Sequence, residues 1–232
     1  MKNEKRTFNT LFMISSVDGK ISTGVNDKRD IDKDFPKIKG IREGLKQYYE
    51  LEKKTDLHSL NTGRVMEKIG INNKKQKIKK TPVSFIIIDN KPHLITTGVN
   101  NLLKKCKTLY LVTTNKKHLG FKIKEKNLVI IYYEKKIDFK DLFKILKTKY
   151  KVNQITIQSG GTMNSTLLRE NLIDRLPLVL APALIGGKNT STLVDGESLI
   201  SENDLKNIKS LKLKSAEKLR NSYLHLIYYI NK

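Results

Sequence analysis

Short runs of β-branched and aromatic residues alternate along this chain with stretches whose apolar residues recur at helical spacing. Such alternation is typical of a mostly parallel sheet whose strands are joined by crossover helices, so the sequence predicts an α/β fold. The predicted strands span 8–15, 56–60, 83–89, 108–113, 128–133, 154–158 and 175–180, and the predicted helices span 38–53, 64–69, 99–105, 139–150 and 163–171.

The last stretch, 208–230, has a different pattern. Leu211 and Leu213 alternate with lysines, and Leu224, Leu226 and Tyr228 alternate after a polar turn. Alternation with a period of two on both sides of a short turn predicts an antiparallel hairpin, which we expect at the edge of the sheet. Because the 232 residues show no internal repeat and no linker, we predict a single domain over 1–232.

The formal net charge is +23, from 46 Lys and Arg against 23 Asp and Glu. Such a charge can indicate nucleic-acid binding, but the basic residues are nearly all lysines and are spread along the chain. The sequence also has no tryptophan, no zinc-finger spacing and no aromatic RNA-binding signature. Nucleic acid is therefore not the expected partner, whereas an attraction for small phosphorylated molecules is reasonable.

Cys106 is the single cysteine, so neither an intrachain disulfide nor a cysteine metal cluster can form. We predict that it is a semi-buried apolar residue in a protein of the reducing cytoplasm. The histidines have no paired spacing suited to a metal ion, so no metal site is expected. No apolar run is long enough to span a membrane, and no membrane association is expected.

A strand, two glycines and a helix follow one another in ITIQSGGTMNSTLLRENLID, residues 155–174. Gly160 and Gly161 permit a tight turn with close backbone approach, and a helix that opens at Thr162 or Met163 directs its free amides outward. A pyrophosphate fits such a turn at the carboxyl end of a parallel strand. A simple connection between strand and helix would show the same pattern.

A second turn of this kind lies in LHSLNTGRVMEKIG, residues 57–70. Asn61 or Thr62 can cap the helix, Gly63 allows close approach, and Arg64 offers a planar fork suited to phosphate. An ordinary capped helix with a surface arginine is equally compatible with these residues. Two such turns in one sheet favour a long anionic ligand such as a dinucleotide.

A third strand end carries Thr113 and Thr114, followed by Lys116 and Lys117. In a dinucleotide enzyme this position can hold the adenosine end, and lysines there would favour a 2′-phosphate and therefore NADPH over NADH. The alternative is a lysine-rich turn in a lysine-rich protein.

The stretch FMISSVDGKIS, residues 12–22, ends an apolar strand in polar residues. Ser16, Asp18 and Lys20 follow this strand, while Gly63 and Gly160 follow other strands of the same predicted sheet. Because ligands gather at the carboxyl ends of parallel strands, we expect the three polar residues to form the substrate side of a cofactor cleft.

Four segments in this order resemble the reductase domain of riboflavin biosynthesis, a branch of the dihydrofolate reductase-like fold. They are MISSVDGKIS at 13–22, LNTGRVMEKIG at 60–70, SGGTMNSTLLRENLID at 159–174 and LAPALIGG at 180–187. The resemblance implies a mixed, mostly parallel sheet flanked by helices, with a C-terminal antiparallel hairpin. It also implies an NADPH-dependent reduction that turns the ribosyl group of a ribosylaminopyrimidine 5′-phosphate into a ribityl chain.

Members of this family are commonly homodimers, so the resemblance implies a homodimer. In bacterial relatives a zinc deaminase domain precedes the reductase. This sequence has no such segment, and we therefore expect a stand-alone reductase. Lys20 matches the family's substrate-side lysine and Asp18 the acid beside it, which makes these two the expected catalytic residues. Ser16 and Ser159 are expected to contact the substrate. The expected cofactor-binding residues are Thr62, Gly63, Arg64, Thr113, Thr114, Gly160, Gly161, Thr162 and Met163.

Three departures from the family pattern keep alternatives open. Many relatives have a glutamate where this chain has Ser159, the segment D-P-x-L-T-x-R is replaced by the lysine-rich stretch 71–80, and Arg64 stands where a small hydroxyl residue is usual. Since GRVMEKIG resembles the turn of true dihydrofolate reductases, one alternative is a reductase acting on a pterin or another imine or carbonyl. The other alternative is a basic nucleic-acid-binding module.

Overall fold

The computed structural model describes residues 5–73 and 78–231, which form two compact units. Unit 1 contains the residues up to Phe8 together with Asp56–Ser159, and unit 2 contains Asn9–Thr55 together with the residues from Gly160 onward. Part of the predicted lysine-rich connection, residues 74–77, lies outside the described residues.

The described elements are named in chain order. The strands are β1 (Phe8–Leu11), β2 (Met13–Ser16), β3 (His58–Thr62), β4 (Ser84–Ile88), β5 (Leu109–Thr113), β6 (Leu128–Tyr132), β7 (Gln154–Ile157), β8 (Arg175–Ala181), β9 (Leu211–Lys218) and β10 (Leu224–Ile230). The helices are α1 (Ile31–Asp34), α2 (Arg42–Glu52), α3 (Gly63–Lys68), α4 (Thr96–Lys105), α5 (Phe139–Thr148) and α6 (Gly161–Arg169).

The sheet of unit 1 is parallel and has the strand order β6-β5-β4-β3-β7. Every residue of β4 and β5 is buried, which explains why both strands are continuous apolar runs rather than alternating ones. Val99 and Leu102 of α4 pack with Ile87 and Leu109 of the sheet and with Cys106. The predicted apolar role of Cys106 is confirmed, and burial raises the pKa of its thiol to about 11.

The sheet of unit 2 is built around β8, to which β1 and β2 are parallel and β10 is antiparallel. The prediction of one strand over 8–15 was wrong, since Phe12 separates β1 from β2. The register is the same on both sides of the break, and the Phe12 ring is buried and stacks on Tyr48 of α2 at 5.2 Å.

The predicted C-terminal hairpin is confirmed. Strands β9 and β10 are antiparallel, with β9 at the edge of the unit 2 sheet. Asn221 and Ser222 in the connection both have positive φ, at 58° and 62°, the backbone twist that suits a tight hairpin turn. The fold is thus a mixed, mostly parallel α/β arrangement with flanking helices, as predicted. None of the helices described is long and apolar enough to cross a membrane.

Candidate active site

The turn after β2 is organised by the side chain of Ser16. Its hydroxyl oxygen accepts a hydrogen bond from the Lys20 amide at 2.9 Å, and the Ser16 carbonyl accepts one from the Gly19 amide at 3.0 Å. Gly19 has a φ of 77°, a conformation that glycine adopts without strain. Ser16 is fully buried and its side chain shapes the turn, while its predicted contact with the substrate stays a prediction.

Asp18 lies exposed at the tip of this turn and binds a loop that follows β8. Its carboxylate accepts hydrogen bonds from the amides of Ile185 at 3.1 Å and Gly186 at 2.7 Å, and from the Ser16 hydroxyl. The Ser16 bond, followed by the Gly186 amide, lowers the pKa of Asp18 to about 2. The side chain is therefore a carboxylate over the whole physiological range.

Lys20 binds the same loop as a hydrogen-bond donor, whereas Asp18 binds it as an acceptor. Its ammonium group donates to the carbonyl oxygens of Gly187 at 2.8 Å and Thr190 at 2.9 Å. A lysine ammonium has three N–H donors, so these two bonds fix its position and leave one N–H for a ligand.

Backbone hydrogen bonds complete the junction between the turn and the loop 181–193. The Ile21 amide donates to the Ser191 carbonyl at 3.0 Å, and the Leu193 amide donates to the Gly19 carbonyl at 2.9 Å. Two sequence segments that are far apart, SVDGK and APALIGG, are therefore parts of one structure in unit 2. This contact is not visible in the sequence, because its partners are 167 positions apart and only the fold brings them together.

The two glycines at the start of α6 have different surroundings. A Cβ atom added to Gly160 would have no heavy atom within 4 Å, whereas one added to Gly161 would lie 2.4 Å from both the Thr192 carbonyl oxygen and the Asp195 carboxylate. Gly160 is the N-cap of α6 and supplies no side-chain capping bond, and Thr162 is exposed. The open side of this helix start is thus at Gly160 and Thr162, with half-buried Met163 beside them.

Residues of α6 hold the segment 192–197 against the helix. The Asn164 side chain donates to the Leu193 carbonyl at 2.8 Å, and the Arg169 guanidinium donates to the Glu197 carbonyl. Asp195, which sequence reasoning missed, accepts from the Thr192 amide at 2.9 Å and the Thr192 hydroxyl at 2.6 Å. The Asp195-Gly196 pair is a turn signal that could have indicated this segment.

In unit 1, the predicted turn after β3 starts α3. The Thr62 hydroxyl caps the helix by accepting from the Val65 amide at 3.3 Å, while Arg64 is exposed. Gly63 is buried, and a Cβ atom added there would lie 2.2 Å from a carboxylate oxygen of Asp89. A glycine is therefore needed at this position because the Asp89 side chain occupies the space that a Cβ atom would take.

The turn after β5 contains the third predicted cofactor segment. Thr113 is fully buried, and its hydroxyl donates to the Asp89 carbonyl at 2.8 Å and accepts from the Asn115 amide at 3.1 Å. The Thr114 amide donates to the Asn90 side chain at 3.0 Å. Thr113 therefore shapes the turn, while Lys116 and Lys117 are its exposed residues.

Asp89 is a second residue that sequence reasoning missed. It follows β4 directly, is completely buried, and accepts hydrogen bonds from the amides of His93 at 3.0 Å and Leu94 at 3.1 Å. The Nε2 atom of His118, also buried, lies 3.0 Å from Oδ2 of Asp89, the oxygen that accepts from the Leu94 amide. A charged residue immediately after the apolar run SFIII was the available signal.

The candidate residues therefore form two sets, each described within its own unit. In unit 2 the isolated bridge between Lys20 and Thr192 links the SVDGK turn to Gly161, whose neighbour is the Thr192 carbonyl. In unit 1 the turns after β3 and β5 both adjoin Asp89. Ser159 is buried at the end of unit 1. Within the described ranges no group of three or more His, Cys, Asp or Glu side chains is placed to hold a metal ion.

Comparison with protein families gives a match to the RibD C-terminal domain over residues 7–225. Among curated proteins, a 2,5-diamino-6-ribosylamino-4(3H)-pyrimidinone 5′-phosphate reductase of Archaeoglobus fulgidus is 29% identical over 83 residues, which are 36% of this chain and 37% of the relative. The riboflavin biosynthesis protein RibD of Buchnera aphidicola is 30% identical over 121 residues, 50% of this chain and 32% of the relative. The matches thus span about a third of these relatives' lengths.

Solved structures with the same fold include RibD of Acinetobacter baumannii, with a TM-score of 0.70 and 14% identity over 98% of this chain and 59% of that one. The riboflavin biosynthesis reductase Rib7 of Saccharomyces cerevisiae superposes with a TM-score of 0.63 and 19% identity, over 100% of this chain and 93% of that one. These likenesses confirm the predicted dihydrofolate reductase-like fold.

Proposed function

This chain belongs to the RibD C-terminal domain family, and we propose that it is an NADPH-dependent reductase of riboflavin biosynthesis. The proposed reaction converts the ribosyl group of a ribosylaminopyrimidine 5′-phosphate into a ribityl group. Relatives from Archaeoglobus fulgidus and Aquifex aeolicus are named as reductases of such a phosphate. The observation that carries the proposal is the fixed ammonium group of Lys20.

Lys20 is the proposed substrate-binding residue. Two carbonyl oxygens hold its ammonium group, and the remaining N–H can donate to a substrate oxygen or phosphate. Such a pre-positioned cation stabilises negative charge that develops on a ribosyl oxygen during reduction, and it needs no rearrangement at that moment.

Asp18 acts on the reaction through Lys20. Its carboxylate orders the amides of Ile185 and Gly186, directly before the Gly187 carbonyl that holds the Lys20 ammonium group. We therefore assign to Asp18 a positioning role. Ser16 supports the same turn, and Ser159, at the position where many relatives have an acid, is the proposed second contact to the substrate.

The residues at the start of α6 fit NADPH, which supplies the hydride when it is bound. Gly160 leaves open space beside the uncapped first turn of α6, where helix amides and the positive end of the helix dipole favour a pyrophosphate. Gly161, Thr162 and Met163 continue this turn. Asp195 borders Gly161, so a phosphate would approach from the side of Gly160 and Thr162.

In unit 1, Arg64 is the exposed cation of the turn that Thr62 and Gly63 build. After β5, Thr114 precedes the exposed Lys116 and Lys117. Cations at these strand ends suit the phosphates of a dinucleotide, and the lysines are the reason to propose NADPH rather than NADH.

A homodimer is the proposed assembly. Leu224 and Leu226 of β10 lie opposite Leu180 and Leu178 of β8, so these leucines share one face of the unit 2 sheet. Leu224 is 40% exposed. An apolar sheet face that is partly exposed favours burial against another protein surface, and a second copy gives a symmetric closed assembly.

Light scattering of the wild-type protein and of Leu224→Glu tests the dimer. We expect a dimer for the wild type and a monomer for the variant, with exposed Lys212→Glu on edge strand β9 as the matched control that stays dimeric. A wild-type monomer at micromolar concentration would contradict the assignment.

The cytoplasm is the proposed compartment, because a lone buried cysteine is typical of a reducing environment.

The reductase activity is tested by following NADPH oxidation with a ribosylaminopyrimidine 5′-phosphate and, side by side, with dihydrofolate. We expect turnover with the ribosyl substrate and none with the pterin. Lys20→Ala should lower kcat about 100-fold while NADPH affinity is kept. Lys188→Ala, an exposed lysine of the same loop, is the matched control and should change neither quantity. Equal loss of affinity and turnover in Lys20→Ala would contradict the assigned role.

A further inference from the structure

We infer that Asp89 and His118 form a buried positioning pair for the cofactor-binding turns of unit 1, an inference that rests on the proposed NADPH-dependent function. Neither residue is among the predicted site residues. The exposed fraction is 0% for Asp89 and 1% for His118, so neither side chain can contact a ligand directly. Their effect must pass through the segments that they hold.

Asp89 contacts the turns that follow three neighbouring strands. One of its oxygens borders Gly63 after β3, and the carboxylate accepts the amides of His93 and Leu94 after its own strand, β4. The other oxygen faces the ring of His118, which follows β5. A single carboxylate thus connects the carboxyl ends of three adjacent parallel strands, the edge at which α/β sheets bind ligands.

The backbone determines the protonation pattern of His118. The Gly120 amide donates a hydrogen bond to Nδ1 at 3.0 Å, so Nδ1 carries a lone pair and the ring proton is on Nε2. Nε2 then donates to the Asp89 carboxylate at 3.0 Å. The ring therefore ties the segment after β5 to Asp89 through a directed bond that only one tautomer can make.

This arrangement links the two turns that are proposed to hold NADPH. In the turn 62–64, Gly63 lies directly against the Asp89 carboxylate. The turn 113–118 makes two hydrogen bonds to Asp89, one from the Thr113 hydroxyl to the backbone carbonyl and one from His118 to the carboxylate. Burying a carboxylate is costly unless donors surround it, and here backbone and ring N–H groups do so. Since supporting groups fix the geometry of a binding site, loss of the His118 bond should loosen the turn that carries Lys116 and Lys117.

Two isosteric variants separate the bonds of His118. His118→Gln places an amide N–H where Nε2 was, which keeps the bond to Asp89 and loses the acceptor for Gly120. His118→Asn places a carbonyl oxygen where Nδ1 was, which keeps the Gly120 bond and loses the donor to Asp89. We expect the KM for NADPH to rise about tenfold in His118→Asn and less than about threefold in His118→Gln, with little change of kcat in either variant.

Thermal unfolding of both variants provides the structural control. Both should stay folded, and His118→Asn should be the more destabilised because it takes a donor away from a buried carboxylate. Equal KM values for the two variants, with the wild type active, would overturn the inference and leave the proposed function intact. A wild-type protein that does not bind NADPH would overturn both. If His118→Asn does not fold, the Nε2–H NMR signal of wild-type His118 is the deciding measurement. It should shift on addition of NADPH, and an unchanged signal would overturn the inferred link between the pair and the cofactor-binding turns.

Discussion

The two glycine turns look alike in sequence, and the structure gives them different surroundings. The turn at 62–64 adjoins a fully buried carboxylate, Asp89, which protein donors surround. The turn at 160–162 adjoins Asp195, a half-buried carboxylate in a surface segment, and its first glycine has open space beside it. The first turn is fixed by the interior of unit 1, and the second depends on loops at the surface of unit 2.

The comparison teaches that a glycine before a helix has more than one physical cause. At Gly63 and Gly161 the glycine makes room for a protein neighbour, whereas Gly160 leaves room that a ligand can fill. The sequence pattern of strand, glycine and helix does not distinguish these cases. Substitutions can, because a Cβ atom is costly only where the space is already occupied.

Gly63→Ala should have the largest effect on stability. The new Cβ atom would lie 2.2 Å from a buried Asp89 oxygen, so either the carboxylate or α3 must move and hydrogen bonds of Asp89 would be strained or lost. We expect a loss of about 3 kcal/mol in the free energy of unfolding, at the upper end of overpacking effects. Urea denaturation measures this loss, and a change below about 1 kcal/mol would mean that Asp89 can move away from Gly63 at little cost.

Gly161→Ala should destabilise less, by about 2 kcal/mol, because Thr192 and Asp195 belong to a surface segment that can shift. Gly160→Ala is its matched control. The φ of −73° suits alanine and the space is open, so its free energy of unfolding should stay within about 0.5 kcal/mol of the wild type. NADPH affinity should nevertheless fall in Gly160→Ala if the pyrophosphate approaches there. Equal stability of the two alanine variants would contradict the difference between the two glycines.

Much of this fold follows from sequence pattern. The order of strands and helices, the buried strands of unit 1 and the hairpin are predictable because burial imposes a periodicity on apolar residues. The break at Phe12 is not, because an uninterrupted apolar run does not show where strand pairing lapses. Helix α4 begins at Thr96 rather than 99, since the polar residues of its first turn carry no apolar signal.

The partners of polar residues were the least predictable part of the site. The histidines show no paired spacing in the sequence, and the partner of His118 is Asp89, 29 positions away on the turn after the neighbouring strand. Asp18 and Lys20 are predicted site residues from residue type and position, whereas their bonds to a loop more than 160 positions later depend on chain topology. Residue type indicates which groups need a partner, and only the fold supplies it.

Asp18→Asn should have a smaller, pH-dependent effect that distinguishes the surface loop of unit 2 from the buried Asp89 site. The pKa of Asp18 is lowered from 3.8 to about 2 in the folded protein, so its contribution is complete above about pH 4 and is lost as the pH falls through about 2. Because the carboxylate is exposed and solvent screens it, we expect only about 1 kcal/mol at neutral pH.

The difference in unfolding free energy between the wild type and Asp18→Asn should therefore shrink as the pH is lowered from about 6 to about 2. Glu202→Gln replaces an exposed acid elsewhere in unit 2 and should show no such dependence. A constant difference for Asp18→Asn across this range would show that the loop bonds do not depend on the negative charge.

Exchanging the helix caps should have the smallest effect and probes the last difference between the turns. Thr62 caps α3 through a 3.3 Å bond to the Val65 amide, so Thr62→Ala should cost about 0.5 kcal/mol, at the low end for a cap. Gly160 gives α6 no side-chain cap, so Gly160→Ser should gain a few tenths of a kcal/mol, about what a serine cap adds over glycine. NADPH affinity should fall in Gly160→Ser, since the serine hydroxyl would occupy the amide that the pyrophosphate needs. If affinity stays unchanged while stability rises, the open space at Gly160 is not where the cofactor binds.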